Sequence, residues 1–432
     1  MKRASGGIGI RATLKMLWPK GHAGSTPASP TKIFTWKDRV LFTGIFLVAF
    51  LFRIPFIGTP GTVIFDEGVY ATFASNTVHG VPFFDVHPPL ASLIFGGIAA
   101  TENFDHSTPH DVEDDFDDFP FLRVRVATAL AGALVASVLY LVARKLGAPQ
   151  MGAFLSGFFV AVDTALISYS RLMLPDIWIL LFGFLGILCA LVSIKKSSWV
   201  QVCCAGIFFG LALSLKWSGL GFFGFGVFLL MRQKRYQQAL LVFVIMLVVY
   251  TSVFTLFLYQ FDKNSTLPEA FDVAGFGALH KKMFQEHALV PYHHHSSYPY
   301  EWPFGAASIG LWGTGEDRIV LTAHYALWIL VYLALIGAIV TMTKEKSREG
   351  DIQRVLILGY LINYVPFFYV ARILFLYHYF PALLFGYLLL PVVLGRFRVM
   401  LFPHLEKQKA FMLFVFGIVL ITALLSPLVY GF

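Results

Sequence analysis

Two acidic residues side by side, Asp66 and Glu67, follow the first long apolar run of the chain, and some twenty residues later comes Asp85-Val86-His87-Pro88-Pro89-Leu90. A carboxylate held beside a bound substrate can take the proton from an attacking hydroxyl, and a nearby imidazole can contact or shape the same site. The basic counterparts are Arg125, Arg171, Lys216 and Arg372, each beside an end of a different apolar run, with Asp176, His378 and Glu301 on the same side in the topology derived below. Cations gathered at one level opposite loop carboxylates describe a site that holds an anion next to a general base. A lipid phosphate meets that description: its head sits at the bilayer rim, its tail stays in hydrocarbon, and the carboxylate acts from the water. Taken singly, each residue has a plainer reading. Arg171 and Arg372 can snorkel, Asp163 or Asp176 can pair between helices, Asp66-Glu67 can cap a helix, and His378 can belong to an aromatic belt beside Tyr377 and Tyr379.

The elements that must position these groups are membrane helices. The 432 residues are 57% hydrophobic and only 13% charged, with a mean hydropathy of +0.71. A soluble globular protein carries about a quarter charged residues, so that class is excluded. Disorder and a disulfide framework are excluded as well, because Cys189, Cys203 and Cys204 all lie in apolar runs. Runs long enough for a hydrocarbon core about 30 Å thick fall near 40–57, 121–143, 150–168, 174–194, 199–214, 218–231, 239–259, 320–342, 352–371, 373–395 and 410–430. The expectation is therefore an all-α polytopic protein with about eleven transmembrane helices.

Residues 1–39 hold eight Lys or Arg and no apolar core suited to a signal peptide, and read as a basic cytosolic tail that is not cleaved. With that tail inside, eleven crossings place most of the other basic residues on the cytosolic face. Two long loops, 58–119 and 260–319, then emerge on the far side, and the first has eleven carboxylates with no Lys or Arg. Within it, Pro88 to Ala100 is apolar but too short to span, and suits a helix lying in the interface or packed on the bundle. The acidic run from Asp111 to Asp118 reads as a solvated loop before it reads as a cation or acceptor site. No linker or repeat divides 40–432, which is expected to be one membrane domain.

The segment VIFDEGVYATFASNTVHGVPFFDVHPPLASL at 63–93 resembles the protein O-mannosyltransferases, polytopic enzymes of the GT-C fold and glycosyltransferase family 39. The likeness continues through FLRVRVATALAG (Arg125), SRLMLPD (Arg171, Asp176), ALSLKWSGL (Lys216, Trp217), SSYPYEWPFG (Trp302) and NYVPFFYVARILFLYHYFPAL (Arg372, His378), in order from about 60 to 385. Pro175 departs from the leucine more usual before that aspartate. Eukaryotic members carry a β-trefoil MIR domain in the later loop, and here 260–319 has no room for one, so the resemblance is to the bacterial type.

That resemblance implies transfer of mannose from a polyprenyl-phosphate donor to Ser or Thr hydroxyls of exported polypeptide, with inversion. Asp66 is implied as the base, with Glu67 orienting acceptor or base. Arg125, Lys216 and Arg372 are assigned to the donor phosphate, where fixed cations gain most as charge develops on the leaving oxygen. Arg171, Asp176 and His378 complete the donor set, and Asp85, His87 and Trp302 are assigned to the acceptor or its loop. No cofactor and no metal is expected, since adjacent imidazoles such as His293, His294 and His295 do not readily converge on one ion. The setting implied is a bacterial plasma membrane with an extracytoplasmic site, or the endoplasmic reticulum for a eukaryotic chain. A homodimer or heterodimer and an association with the secretion translocon are partners in keeping with it; nucleic acid is not. Two other functions compete: a polyprenyl-phosphate-sugar transferase acting on a lipid or cell-wall glycan, and a transporter. A transporter should show midplane charges and repeats, and neither is visible in this sequence.

Overall fold

Hydrocarbon offers the backbone no hydrogen-bond partners, so apolar runs of this length satisfy their amides internally and become helices. A computed structural model of the protein describes residues 34–109, 111–261, 273–288, 293–314, 317–342, 347–370, 372–401 and 407–432. Most of the expected basic tail, together with Lys344 and Lys346, falls outside those residues. The chain begins with α1 (Trp36–Leu51), and the first long loop holds α2 (Glu67–His79) and α3 (Leu90–Ala99). There follow α4 (Phe121–Leu146), α5 (Gln150–Val162), α6 (Thr164–Ser170), α7 (Asp176–Lys196), α8 (Trp199–Leu215), α9 (Leu220–Arg232) and α10 (Tyr236–Phe261). The second long loop contains α11 (Val273–Ala288), β1 (Ile309–Thr314) and β2 (Asp317–Leu321), and α12 (Tyr325–Met342), α13 (Arg348–Tyr364), α14 (Phe380–Leu401) and α15 (Lys407–Tyr430) complete the chain.

Every expected span falls on a helix, but length and hydropathy carry fewer crossings than eleven. Among the described residues five helices are long and apolar enough to cross a membrane, or six if the bent pair α5 and α6 counts as one. The all-α expectation also needs a correction, because β1 and β2 form an antiparallel hairpin. Its physical cause is alternation: Ile309 and Leu311 are buried on one strand and Ile319 and Leu321 on the other, a period of two that a helix cannot use. The run expected from 320 therefore starts as strand, and the helix begins at Tyr325.

Close packing relies on small residues. Gly206 and Gly210, four apart on α8, face α10 so tightly that a methyl group at either would lie 2.7 Å from the Ile245 side chain or 2.6 Å from that of Val249. The apolar stretch before Ala100 is settled as a helix packed on the bundle: Phe95 and Ala99 of α3 are buried, and Gly96 lies against the Ala74 carbonyl of α2. In the acidic run, the Asp114 carbonyl accepts from the Val63 N–H at 2.9 Å while the carboxylates of the run stay exposed. That is the solvated reading. α5 and α6 meet at 57° where Asp163 interrupts them. Its carboxylate caps α6 through the Leu166 N–H at 2.8 Å and accepts from Trp328 Nε1 at 2.8 Å and Tyr387 Oη at 2.5 Å, which ties the bend to α12 and α14.

Candidate active site

The site is assembled on a loop, 52–66, that has no regular structure of its own and must be held by side chains. Two guanidiniums do this. Arg171, which caps the C-terminus of α6, donates to the carbonyls of Arg53 at 3.0 Å and Phe56 at 3.0 Å, and also to that of Pro55. Arg125 of α4 donates to the carbonyls of Ile57 at 3.3 Å, Pro60 at 2.7 Å and Thr62 at 3.0 Å. The remaining donors of Arg125 go to Glu67, Nε to Oε1 at 2.9 Å and Nη2 to Oε2 at 2.6 Å, in a forked pair shielded from solvent. Glu67 also accepts from the Met173 N–H at 2.8 Å and the Ile64 N–H at 3.2 Å. All five N–H donors of Arg125 are thereby spent, and both oxygens of Glu67 are doubly occupied.

Three sequence assignments change accordingly. Arg125 and Arg171 direct their guanidiniums to carbonyls of the loop, and the narrow recess they line with Ile57, Ile64 and Leu172 includes neither Asp66 nor Lys216; Glu67 is built into the wall behind the site. Trp302 is likewise displaced from acceptor contact: it is fully buried, bonds Ser297 through Nε1 at 2.9 Å, and lies under the His378 ring with centroids 6.3 Å apart. Sequence alone cannot separate an arginine that meets substrate from one that meets its own backbone, because both sit at the end of an apolar run.

Asp66 is the opposite case. It precedes α2 without capping it, is half-buried, and its side-chain oxygens accept no hydrogen bond from the described residues. The residue before it, Phe65, has φ of 51°, a left-handed conformation that costs a non-glycine residue of order 1–3 kcal/mol, and its N–H is fixed to the Leu311 carbonyl of β1 at 3.0 Å. The hairpin thus helps aim the aspartate. Burial pushes the Asp66 carboxyl up to about 6, with Lys216 drawing it down and Asp176 pushing it up. Asp85 stands in the same space, its Oδ1 accepting from the His87 N–H at 2.8 Å, and burial pushes its carboxyl up to about 7 against the pull of that bond and of Lys216.

Lys216 follows α8, where the helix gives way to an extended residue, and its ammonium reaches both oxygens of Asp176, at 3.0 Å and 2.8 Å, over the Tyr377 ring at 5.2 Å. Tyr169 donates to the same carboxylate at 3.3 Å. Arg372 is half-buried and, among the described residues, donates one hydrogen bond, from Nε to the Ile373 carbonyl at 3.1 Å; its charge reaches Asp176, His87, His287 and His378. The His378 Nδ1 is engaged with the Phe375 backbone, which leaves Nε2 without a partner among the described residues. Beside it a narrow cleft, with free space of only about 10 Å³, is lined by Asp176, Ser218, Phe367, Tyr377, His378 and Pro381. One polar end and apolar walls suit a lipid with an anionic head.

The structure therefore gathers Asp66, Asp85, His87, Asp176, Lys216, Arg372 and His378, and sets Glu67, Arg125, Arg171 and Trp302 behind them. It adds residues that the sequence reading missed. The His287 ring of α11 lies 4.9 Å from that of His87 and 6.2 Å from Trp217, and His280 is bonded to Tyr250 at 2.8 Å. The available signal was their spacing, two histidines seven apart on one face of a short helix. Among the described residues no three His, Cys, Asp or Glu side chains are grouped as metal ligands; His293, His294 and His295 stack on one another, with neighbouring rings 4.7 Å and 4.0 Å apart.

A family model described as dolichyl-phosphate-mannose-protein mannosyltransferase matches residues 43–266, and one described as the C-terminal four-transmembrane region of protein-O-mannosyltransferase matches 273–432. Dolichyl-phosphate-mannose–protein mannosyltransferase 1 of Saccharomyces cerevisiae is 30% identical over 206 residues, 45% of this chain and 24% of the relative. Protein O-mannosyltransferase 1 of Drosophila pseudoobscura pseudoobscura is 28% identical over 194 residues, 43% and 21% respectively. The matched part is thus about a quarter of the length of these curated relatives. In structure the chain resembles the S. cerevisiae protein O-mannosyltransferase Pmt1-Pmt2 complex bound to the sugar donor, with a TM-score of 0.79 at 16% identity over 92% of this chain and 90% of that one. ArnT from Cupriavidus metallidurans bound to undecaprenyl phosphate is similar at a TM-score of 0.55 and 16% identity, over 91% and 65%. These likenesses establish the GT-C architecture.

Proposed function

The chain belongs to the dolichyl-phosphate-mannose–protein mannosyltransferase family, and from that premise we propose that it transfers mannose from a polyprenyl-phosphate donor to Ser or Thr hydroxyls of exported polypeptide. The observation that carries the reading is the pairing of the Asp66 carboxylate, whose oxygens accept no hydrogen bond from the described residues, with the cations Lys216 and Arg372 and the His378 imidazole, beside an apolar-walled recess that His378 and Asp176 line. In the reaction the bond from the sugar C1 to the donor phosphate breaks and one from C1 to the acceptor oxygen forms. The hydroxyl proton passes to Asp66, and the electron pair leaves with polyprenyl phosphate.

The leaving phosphate is already a good anion and requires no general acid. Lys216 and Arg372 stabilise the charge that grows on it, and preorganised donors of this kind contribute most when the charge appears in the transition state. Asp176 fixes the Lys216 ammonium at 2.8 Å and 3.0 Å and keeps it in place between turnovers. Asp85 and His87 line the side from which the acceptor enters. Glu67, Arg125 and Arg171 act through the loop, holding Asp66 at its position. Attack from the face opposite the phosphate inverts the sugar.

The orientation in keeping with this chemistry has eleven crossings, a cytosolic N-terminus and the site on the extracytoplasmic face of a bacterial plasma membrane. No cofactor takes part. A dimer is the expected assembly, by analogy with the relative described as a Pmt1-Pmt2 complex, and the translocon is the expected source of unfolded acceptor. The test is incubation of the purified protein with polyprenyl-phosphate mannose and a Ser/Thr peptide, followed by mass spectrometry. A gain of one hexose on a hydroxyl residue is the expected result; a glycolipid product with unmodified peptide would move the assignment to the lipid or glycan class.

A further inference from the structure

We propose that His287 is a ligand of the donor phosphate, contributed by a helix of the second external loop. The inference rests on the donor-phosphate reading above and extends it to a residue outside every motif that the sequence presents.

His287 lies in the last turn of α11, and its Nδ1 is buried without a hydrogen-bond partner among the described residues. An unpaired buried ring nitrogen costs about as much as a lost hydrogen bond, so the position calls for an occupant. The groups that face it come from separate parts of the chain: His87 from the first loop, Lys216 from the end of α8, and Arg372 and His378 from the segment before α14. All are basic or neutral donors. An oxyanion placed among them accepts from every side. Burial together with Arg372 and Lys216 holds the imidazole down, to about 4, so that it is neutral, with one N–H to give.

The helix that carries it is anchored. Trp217 donates from Nε1 to Tyr250 Oη at 3.0 Å, and that hydroxyl meets His280 Nε2 at 2.8 Å, while His280 Nδ1 meets the Phe276 carbonyl at 2.8 Å. The Lys282 ammonium lies 4.3 Å over the Phe84 ring, and Met283 is buried beneath the helix. α11 is therefore fixed to the residue next to Lys216 and to the residue before Asp85. A histidine held in that way is preorganised for a ligand rather than left as a solvent-facing side chain.

The bland alternative is that the ring only packs against His87 and Trp217. The substitution His287→Phe separates the two, since it keeps an aromatic ring and removes the hydrogen bond. Binding of farnesyl phosphate to the purified full chain in nanodiscs is measured for the wild type, His287→Phe, His287→Gln and Lys216→Met. Loss of a hydrogen bond to a charged group predicts binding roughly ten- to a hundredfold weaker for His287→Phe, with part of the affinity recovered in His287→Gln. Equal affinity of His287→Phe and wild type, with Lys216→Met impaired, overturns the role of His287 and leaves the phosphate reading intact. Undiminished binding by Lys216→Met overturns that reading and this inference with it.

Discussion

The sharpest consequence of the geometry concerns pH. Asp66 is the proposed base, and burial lifts its carboxyl from the usual 3.8 to about 6. A carboxyl at that value is about nine-tenths ionised at pH 7 and about one-tenth ionised at pH 5, so kcat/KM should fall roughly tenfold as the pH drops between them. The sign follows from the ionised form being the active one: activity is present above the raised value and lost on acidification through it. A carboxyl in water would still be about nine-tenths ionised at pH 5 and would give an almost flat profile over this range. Asp85, lifted to about 7, is the rival source of such an inflection. Mannosyl transfer to a peptide is therefore followed across pH 5 to 8 for wild type, Asp66→Asn and Asp85→Asn. Asp66→Asn should lose on the order of 10² to 10⁴ in rate, the usual contribution of a positioned general base, while Asp85→Asn should keep the inflection near 6. Wild-type turnover by Asp66→Asn, or an inflection that disappears with Asp85 instead, refutes the assignment.

Three further outcomes follow from the same arrangement. Glu67→Gln and Arg125→Met each break a buried forked pair and should lower stability by about 3–5 kcal/mol, seen as an earlier melting transition in detergent, with the double substitution costing less than the two together. Arg372→Ala removes a guanidinium with one bond to its own backbone, so it should weaken donor binding roughly tenfold or more in a competition assay and leave melting unchanged. Treatment with a chelator should leave mannosyl transfer at its untreated rate; loss restored by an added divalent ion would require a metal in the mechanism.

The sequence made the helices legible because hydropathy is a local property: a run such as 174–194 declares its solvent without reference to any partner. The hairpin at 309–321 was hidden, since the next apolar run merges with β2 and only burial on one side reveals the alternation of Ile309, Leu311, Ile319 and Leu321. Within the site, Asp66 and Glu67 are chemically alike and adjacent, and their divergence depends on the route of the loop. Glu67 meets Arg125, Ile64 and Met173, whereas the side chain of Asp66 accepts no bond from the described residues. Arg125 and Arg372 differ for a similar reason. One finds carbonyls at 57, 60 and 62 within reach, and the other finds a single backbone oxygen. Neither fact is written in spacing. His280 and His287 share a helical spacing, but that spacing names no site until the helix is known to fold back on Trp217.

The bend at Asp163 has a bearing on how the polypeptide can be divided. Its carboxylate belongs to the segment matched by the first family model, but two of its three partners, Trp328 and Tyr387, belong to the segment matched by the second. A fragment ending near 266 would strand an acid in the middle of a greasy bundle with only the Leu166 amide for company. The two regions are thus complementary pieces of one object, and a gene split between them should yield halves that mature only when made together.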